Sequence, residues 1–198
     1  MSRKLGGLSL ALSMIDEKTK SIARRMFVTN AVDALLAVLG ATIAQYIAGV
    51  RDVSIMISSA LGISFVMGVF SGVIATLIVE SAEQKAEIKH VEQVMATKLD
   101  SSVLYRGSLI ASLYVALWSG LGMIVIPVIG ISPLLLNMAS IIKLIDEAVW
   151  MSICVIDLLL FGLGAWLGLL AKGRWYIWGL KFLAIGLIVT LIAVILTY

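Results

Sequence analysis

Apolar residues fall along this chain in runs too long for the core of a soluble domain and too continuous for alternating strands. Five runs approach or exceed the roughly 20 residues a helix needs to cross a hydrocarbon layer: about 27–49, 53–79, 107–129, 149–171 and 175–197. None shows the alternating polarity of barrel strands. Only a few residues separate the first two runs and the last two, so each pair predicts an antiparallel hairpin. Between the third and fourth, Pro127, Gly130 and Pro133 break the pattern, and LLLNMASIIKLIDEA after them predicts a short interfacial helix.

Two segments flank these runs with a different rhythm. In 1–26, Leu8, Leu12, Ile15, Ile22 and Met26 recur at helical spacing, while Asp16, Glu17, Lys18 and Lys20 take the other face. That is the pattern of an amphipathic helix lying at a membrane surface. Arg3 and Lys4 before LGGLSLALSM resemble the start of a signal peptide, but the stretch runs into DEKTK without a small-residue cleavage site, so it is expected to be retained. After the second run, VESAEQKAEIKHVEQVMATKLD has no breaker before Asp100, so residues 80–106 are expected to form a short cytoplasmic helical segment. The expectation is one transmembrane domain over 1–198. It is an all-α integral membrane protein with five transmembrane helices, an N-terminal amphipathic helix and a cytoplasmic extension of the second span.

Composition agrees with this pattern. Of the 198 residues, 61% are hydrophobic and only 14% charged, where soluble domains carry about 25% charged residues. The formal charge of +3 does not point to nucleic acid, because the basic residues flank spans instead of forming a patch; the partner is a lipid bilayer. Arg3, Lys4, Lys18, Lys20, Arg24, Arg25, Lys85, Lys89, Lys98, Arg106, Lys172 and Arg174 all fall on one side, and only Arg51 and Lys143 on the other. Positive residues favour the cytoplasm, which predicts a cytoplasmic N-terminus and Tyr198 on the opposite side. Trp175, Tyr176 and Trp178 would anchor the edge of span five. The single cysteine, Cys154, excludes an intramolecular disulfide.

Two acids interrupt the apolar runs. Asp33 lies in span one and Asp157 in span four, where insertion costs about 2.5–3.5 kcal/mol each, so each needs a partner or a task. The surrounding VDALLAVLGA (32–41) and IDLLLFGLGA (156–165) share Asp, three leucines, Gly and Ala in register, on spans that run in opposite directions. Inverted echoes of this kind mark alternating-access transporters. Lys181 lies at a depth similar to Asp33 and would either pair with it or extend to the interface. Span two carries Ala60, Ser64, Gly68, Gly72 and Thr76, a small residue at every fourth position, as a packing or dimer seam requires.

Further acids sit at the ends. Glu80, Glu83, Glu87 and His90 fall in one stripe of the helix after span two. Oxygen ligands with an imidazole suit Fe²⁺ or Mn²⁺, although a solvated helix with loose counter-ions explains the same stripe. At the other end Asp146 and Asp157 are eleven apart and eclipse on a helix, with Glu147 and Cys154 alongside. They read as an acidic funnel, or as an acidic first turn favoured by the helix dipole.

TNAVDALLAVLGA in span one and SAEQKAEIKHVE after span two resemble the vacuolar iron transporter family, five-span proteins that move Fe²⁺ and Mn²⁺ out of the cytoplasm. The resemblance implies that Asp33 is an ion-path carboxylate, Met67 a soft ligand, and Glu80, Glu83 and Glu87 a cytoplasmic metal site. It also implies proton exchange and a homodimer. The chain departs from the family at Ala34, where Gly is usual, and at Ser71-Gly72-Val73, where a Gly-Glu pair is common. Its 80–106 segment is also shorter than the family's metal-binding domain. Altogether the sequence points to a divalent-metal exporter with Asp33 and Asp157 lining the path and Asp146 and Glu147 receiving ions outside. Fe²⁺ or Mn²⁺ is then substrate, with no permanently bound cofactor. The alternative is a membrane scaffold or accessory subunit whose aspartates are structural. One histidine, and the lack of a nucleophile–base set, an HExxH motif or a glycine-rich phosphate loop, argue against an enzyme.

Overall fold

The computed structural model describes residues 15–95 and 101–197, the side chains of 101–106, 196 and 197 aside. Helix α1 (Glu17–Ile47) starts at Asp16, whose carboxylate accepts a hydrogen bond from the Thr19 amide at 2.7 Å. No glycine or proline falls between Glu17 and Leu39, so the backbone ladder runs on without interruption. This corrects the sequence expectation. Residues from Glu17 onward are not a separate surface helix but the first turns of span one, and 1–14 lie outside the described residues. The helix ends in a Schellman turn: Gly49, at φ +82°, donates to the Tyr46 carbonyl, and Val50 donates to the Gln45 carbonyl. A residue with a Cβ is strained in that left-handed conformation.

Helix α2 (Val53–Met95) is capped by Asp52, which accepts from the Ser54 amide, and runs past the apolar part as expected as far as Met95; of the expected 80–106 segment, 96–100 lie outside the described residues and 101–106 begin the next helix. Its middle, Met67–Ala75, winds with wide i→i+5 turns. Helix α3 (Ser101–Gly130) contains Pro127 and stops three residues beyond it. The expected interfacial helix is shorter than the sequence suggested. Helix α4 (Ser132–Met138) ends at Ser140, which takes a left-handed φ of 61°, and IDEA already belongs to the next span. Asn137 holds this turn by donating to the Ile142 carbonyl. Helices α5 (Ile145–Leu170) and α6 (Trp175–Thr197) form the last hairpin.

The described residues contain no strand, and five helices are long and apolar enough to cross a membrane. The protein is therefore an all-helical, membrane-embedded chain. Helix α1 is its axis: Ala31, Ala34, Leu35, Val38 and Leu39 are fully buried. Helices α2 and α3 pack on one side of it, α5 and α6 on the other. The outward face of α2 keeps Phe65, Phe70 and Ile78 about 60% exposed, as lipid contact requires.

Candidate functional site

The small-residue stripe of α2 faces α3 within the same chain. A Cβ at Gly68 would sit 2.3 Å from Ile124 Cγ1, and one at Gly72 would sit 2.7 Å from Gly120 Cα. Only hydrogen at these positions lets the backbones come this close. The wide turn explains how a four-residue spacing stays on one face. In an α-helix each four-residue step overshoots a full turn by about 40°. The i→i+5 segment rotates less per residue and takes that drift back, so Ala60, Ser64, Gly68 and Gly72 are all buried. The stripe then continues to Thr76 and Glu80.

At Thr76 the seam turns polar. The Thr76 hydroxyl donates to the Ser71 carbonyl at 3.2 Å, an i→i+5 partner, and lies 3.2 Å from Ser119 Oγ. Asn30 of α1 donates its amide to the same Ser119 oxygen. Ser119 is fully buried. One turn beyond Thr76 is Glu80, only 3% exposed, with no hydrogen bond or ion pair among the described residues. Glu83 repels it and Arg25 attracts it through space, but Arg25 makes no ion pair with it.

Glu80 separates two spaces. On one side is a groove of about 450 Å³ between the start of α1, α2 and the start of α3, whose acids are Asp16, Glu80, Glu83 and Glu87. On the other is a cavity of about 210 Å³ reaching into the spans, lined by Met26, Asn30, Ser71, Ala75, Thr76, Val79 and Glu80. Lys18 reaches into the groove and donates to Glu87 Oε1 at 2.7 Å. The Thr19 hydrogen bonds lower the Asp16 pKa. The structure thus brings Glu80, Glu83 and Glu87 to one groove. His90 is exposed and does not line it. Among the described residues no three His, Cys, Asp or Glu side chains converge as a metal-holding group.

The intramembrane acids have different surroundings. Asp157 packs against α6 where a glycine makes room: a Cβ at Gly186 would meet its Oδ1 at 2.5 Å. That oxygen is buried without a hydrogen-bond partner. Asp33 is exposed on the side surface of α1. Lys181 lies over the Trp178 ring at 5.1 Å and makes no ion pair with Asp33 among the described residues. Met67 is half-buried at the first wide turn and lines neither space. At the far end Asp146 accepts from the Tyr46 hydroxyl at 3.0 Å, with Arg51 Nε 3.9 Å away and stacked over Tyr46. Glu147 is exposed beside it, and so is Cys154. These contacts tie α1 to α5.

Asn30 and Ser119 escaped the sequence reading, and Thr76 entered it only as a small residue. Their signal was present: each is a hydrogen-bonding side chain inside an apolar run. The chain matches no family model, no curated protein and no solved structure. The resemblance to vacuolar iron transporters therefore rests on the quoted motifs alone.

Proposed function

We propose that the protein is a membrane transporter that exports divalent cations, Fe²⁺ or Mn²⁺, with the groove as its entrance. The positive residues around the start of α1 mark that end as cytoplasmic, and Tyr198 then lies on the other side. One observation carries the reading: Glu80, almost wholly buried and without a partner among the described residues, stands between an acidic groove and a second cavity between α1 and α2 that Asn30, Ser71 and Thr76 also line. A carboxylate withdrawn from water is costly unless a cation comes to it. Glu83 and Glu87 raise the local cation concentration, and among the described residues the groove offers no three-acid cage, so a cargo ion would keep part of its water and could leave. Asp157, whose buried oxygen has no partner, is the second carboxylate on the path. The exposed Asp33 would face lipid or a second copy of the chain. Exchange against protons and a homodimer complete the proposal by the motif resemblance.

The test is Mn²⁺ flux into proteoliposomes containing a metal-sensitive dye. Wild-type protein should carry Mn²⁺ above empty vesicles, and Glu80→Gln should lower the rate about tenfold, a barrier change of about 1.4 kcal/mol. Wild-type flux no higher than that of empty vesicles leaves the scaffold reading in its place.

A further inference from the structure

We infer that the cavity between α1 and α2 is a binding site for a monovalent cation of the sodium class, held by Glu80, Thr76 and Asn30. The binding stands independently of metal export; only a coupling role for this ion would rest on that reading. Thr76 directs its hydroxyl proton to the Ser71 carbonyl, so in the Thr76–Ser119 contact Ser119 must be the donor. Ser119 in turn accepts from the Asn30 amide. The donors therefore run one way, from Asn30 through Ser119 to Thr76 and on to the Ser71 carbonyl. Neither hydroxyl has a proton left for the cavity.

What the oxygens at the cavity offer is lone pairs, with one Asn30 amide N–H left over beside them. Thr76 Oγ1 keeps one, the Asn30 Oδ1 carries no hydrogen bond among the described residues, and Glu80 supplies a carboxylate. Such a wall attracts a cation and repels an anion. All the donors are hard oxygens and only one is charged, so a single positive charge neutralises the set. The wide turn of α2 contributes by placing the Ser71 carbonyl where Thr76 can reach it, a local unwinding of the kind that serves ion sites inside spans. Arg25, the nearby cation that acts on Glu80, makes no ion pair with it, so it does not fill this place.

Thermal unfolding of the purified full chain in detergent tests this, with NaCl replaced by choline chloride at constant ionic strength. Sodium should raise Tm saturably by about 3–6 °C over choline, as a ligand that binds only the folded state does. Glu80→Gln and Thr76→Val should abolish the shift; Thr76→Ser, which keeps the hydroxyl, should retain it. Ser59→Ala, at the other end of α2, should behave as wild type. Equal melting in sodium and choline overturns the proposal, and so does a wild-type sodium shift in Thr76→Val. Should Thr76→Val fail to fold, Glu80→Gln gives the same decision. A sodium shift without Mn²⁺ flux keeps this site and removes the exporter; flux without the shift does the reverse.

Discussion

The α2–α3 and α5–α6 seams use the same device and enclose different chemistry. Both are close because glycine faces backbone: Gly72 against Gly120 in the first, Gly164 against the Trp178 carbonyl in the second. In the first, polar groups meet in a chain of donors and acceptors, Asn30, Ser119, Thr76 and Ser71, beside open space. In the second, the Asp157 carboxyl oxygen is shut against Gly186 with nothing to bond. The difference comes from a third helix. Helix α1 contributes Asn30 to the first seam, whereas toward α6 it presents Gly40 against the apolar Val189. Close packing alone thus leaves the Asp157 oxygen without a partner; open space beside acceptors is what the first seam adds.

The largest expected effect tests what the seams share. Gly72→Leu and Gly164→Leu should each prevent folding, because a Cβ would come within 2.7 Å of Gly120 Cα in one and 2.6 Å of the Trp178 carbonyl oxygen in the other. Gly62→Leu and Gly162→Leu, where a Cβ meets nothing within 4 Å, should elute as wild type in gel filtration. A monodisperse, stable Gly72→Leu protein would mean that α2 and α3 are not in contact.

A smaller effect separates the seams by their acids. Asp157→Asn removes a charge whose buried oxygen has no partner, so Tm should rise, by about 2–4 °C for each kcal/mol gained. A fall in Tm would show that a partner group pairs with the Asp157 charge. The smallest effect concerns the polar chain. Ser119→Ala takes away the acceptor of the Asn30 amide and the neighbour of Thr76. Hydrogen bonds between membrane helices average about 0.6 kcal/mol, so Tm should drop by only about 2–4 °C. An unchanged Tm would place these hydroxyls in water, not in the seam.

Much of the architecture was legible in the residues. Five apolar runs became five helices, and VESAEQKAEIKHVEQ continued span two because it contains no breaker. The segment 17–26 was misread as separate because its amphipathic face is real. Amphipathicity tells which side meets water, while continuity depends on the absence of Gly or Pro before Gly40. The glutamate stripe was legible as a stripe, yet its members part company in space: Glu80 is buried, Glu87 is held by Lys18, and His90 lies outside the groove. Asp33 and Asp157 look alike in the echoed motif and differ in burial. Their neighbours on other helices decide that, and a motif does not contain them.

By itself the sequence determined the helices and their apolar faces, because those follow from short-range backbone bonding and from transfer out of water, which act residue by residue. Tertiary structure alone decided which polar groups meet. Ser119 reaches both Asn30, 89 positions away, and Thr76, 43 positions away, and Glu80 is nearly covered where α1 and α3 approach it. Contacts of that kind depend on how helices rotate about their axes, and that rotation is fixed only when glycine seams and side-chain volumes from several helices are satisfied together.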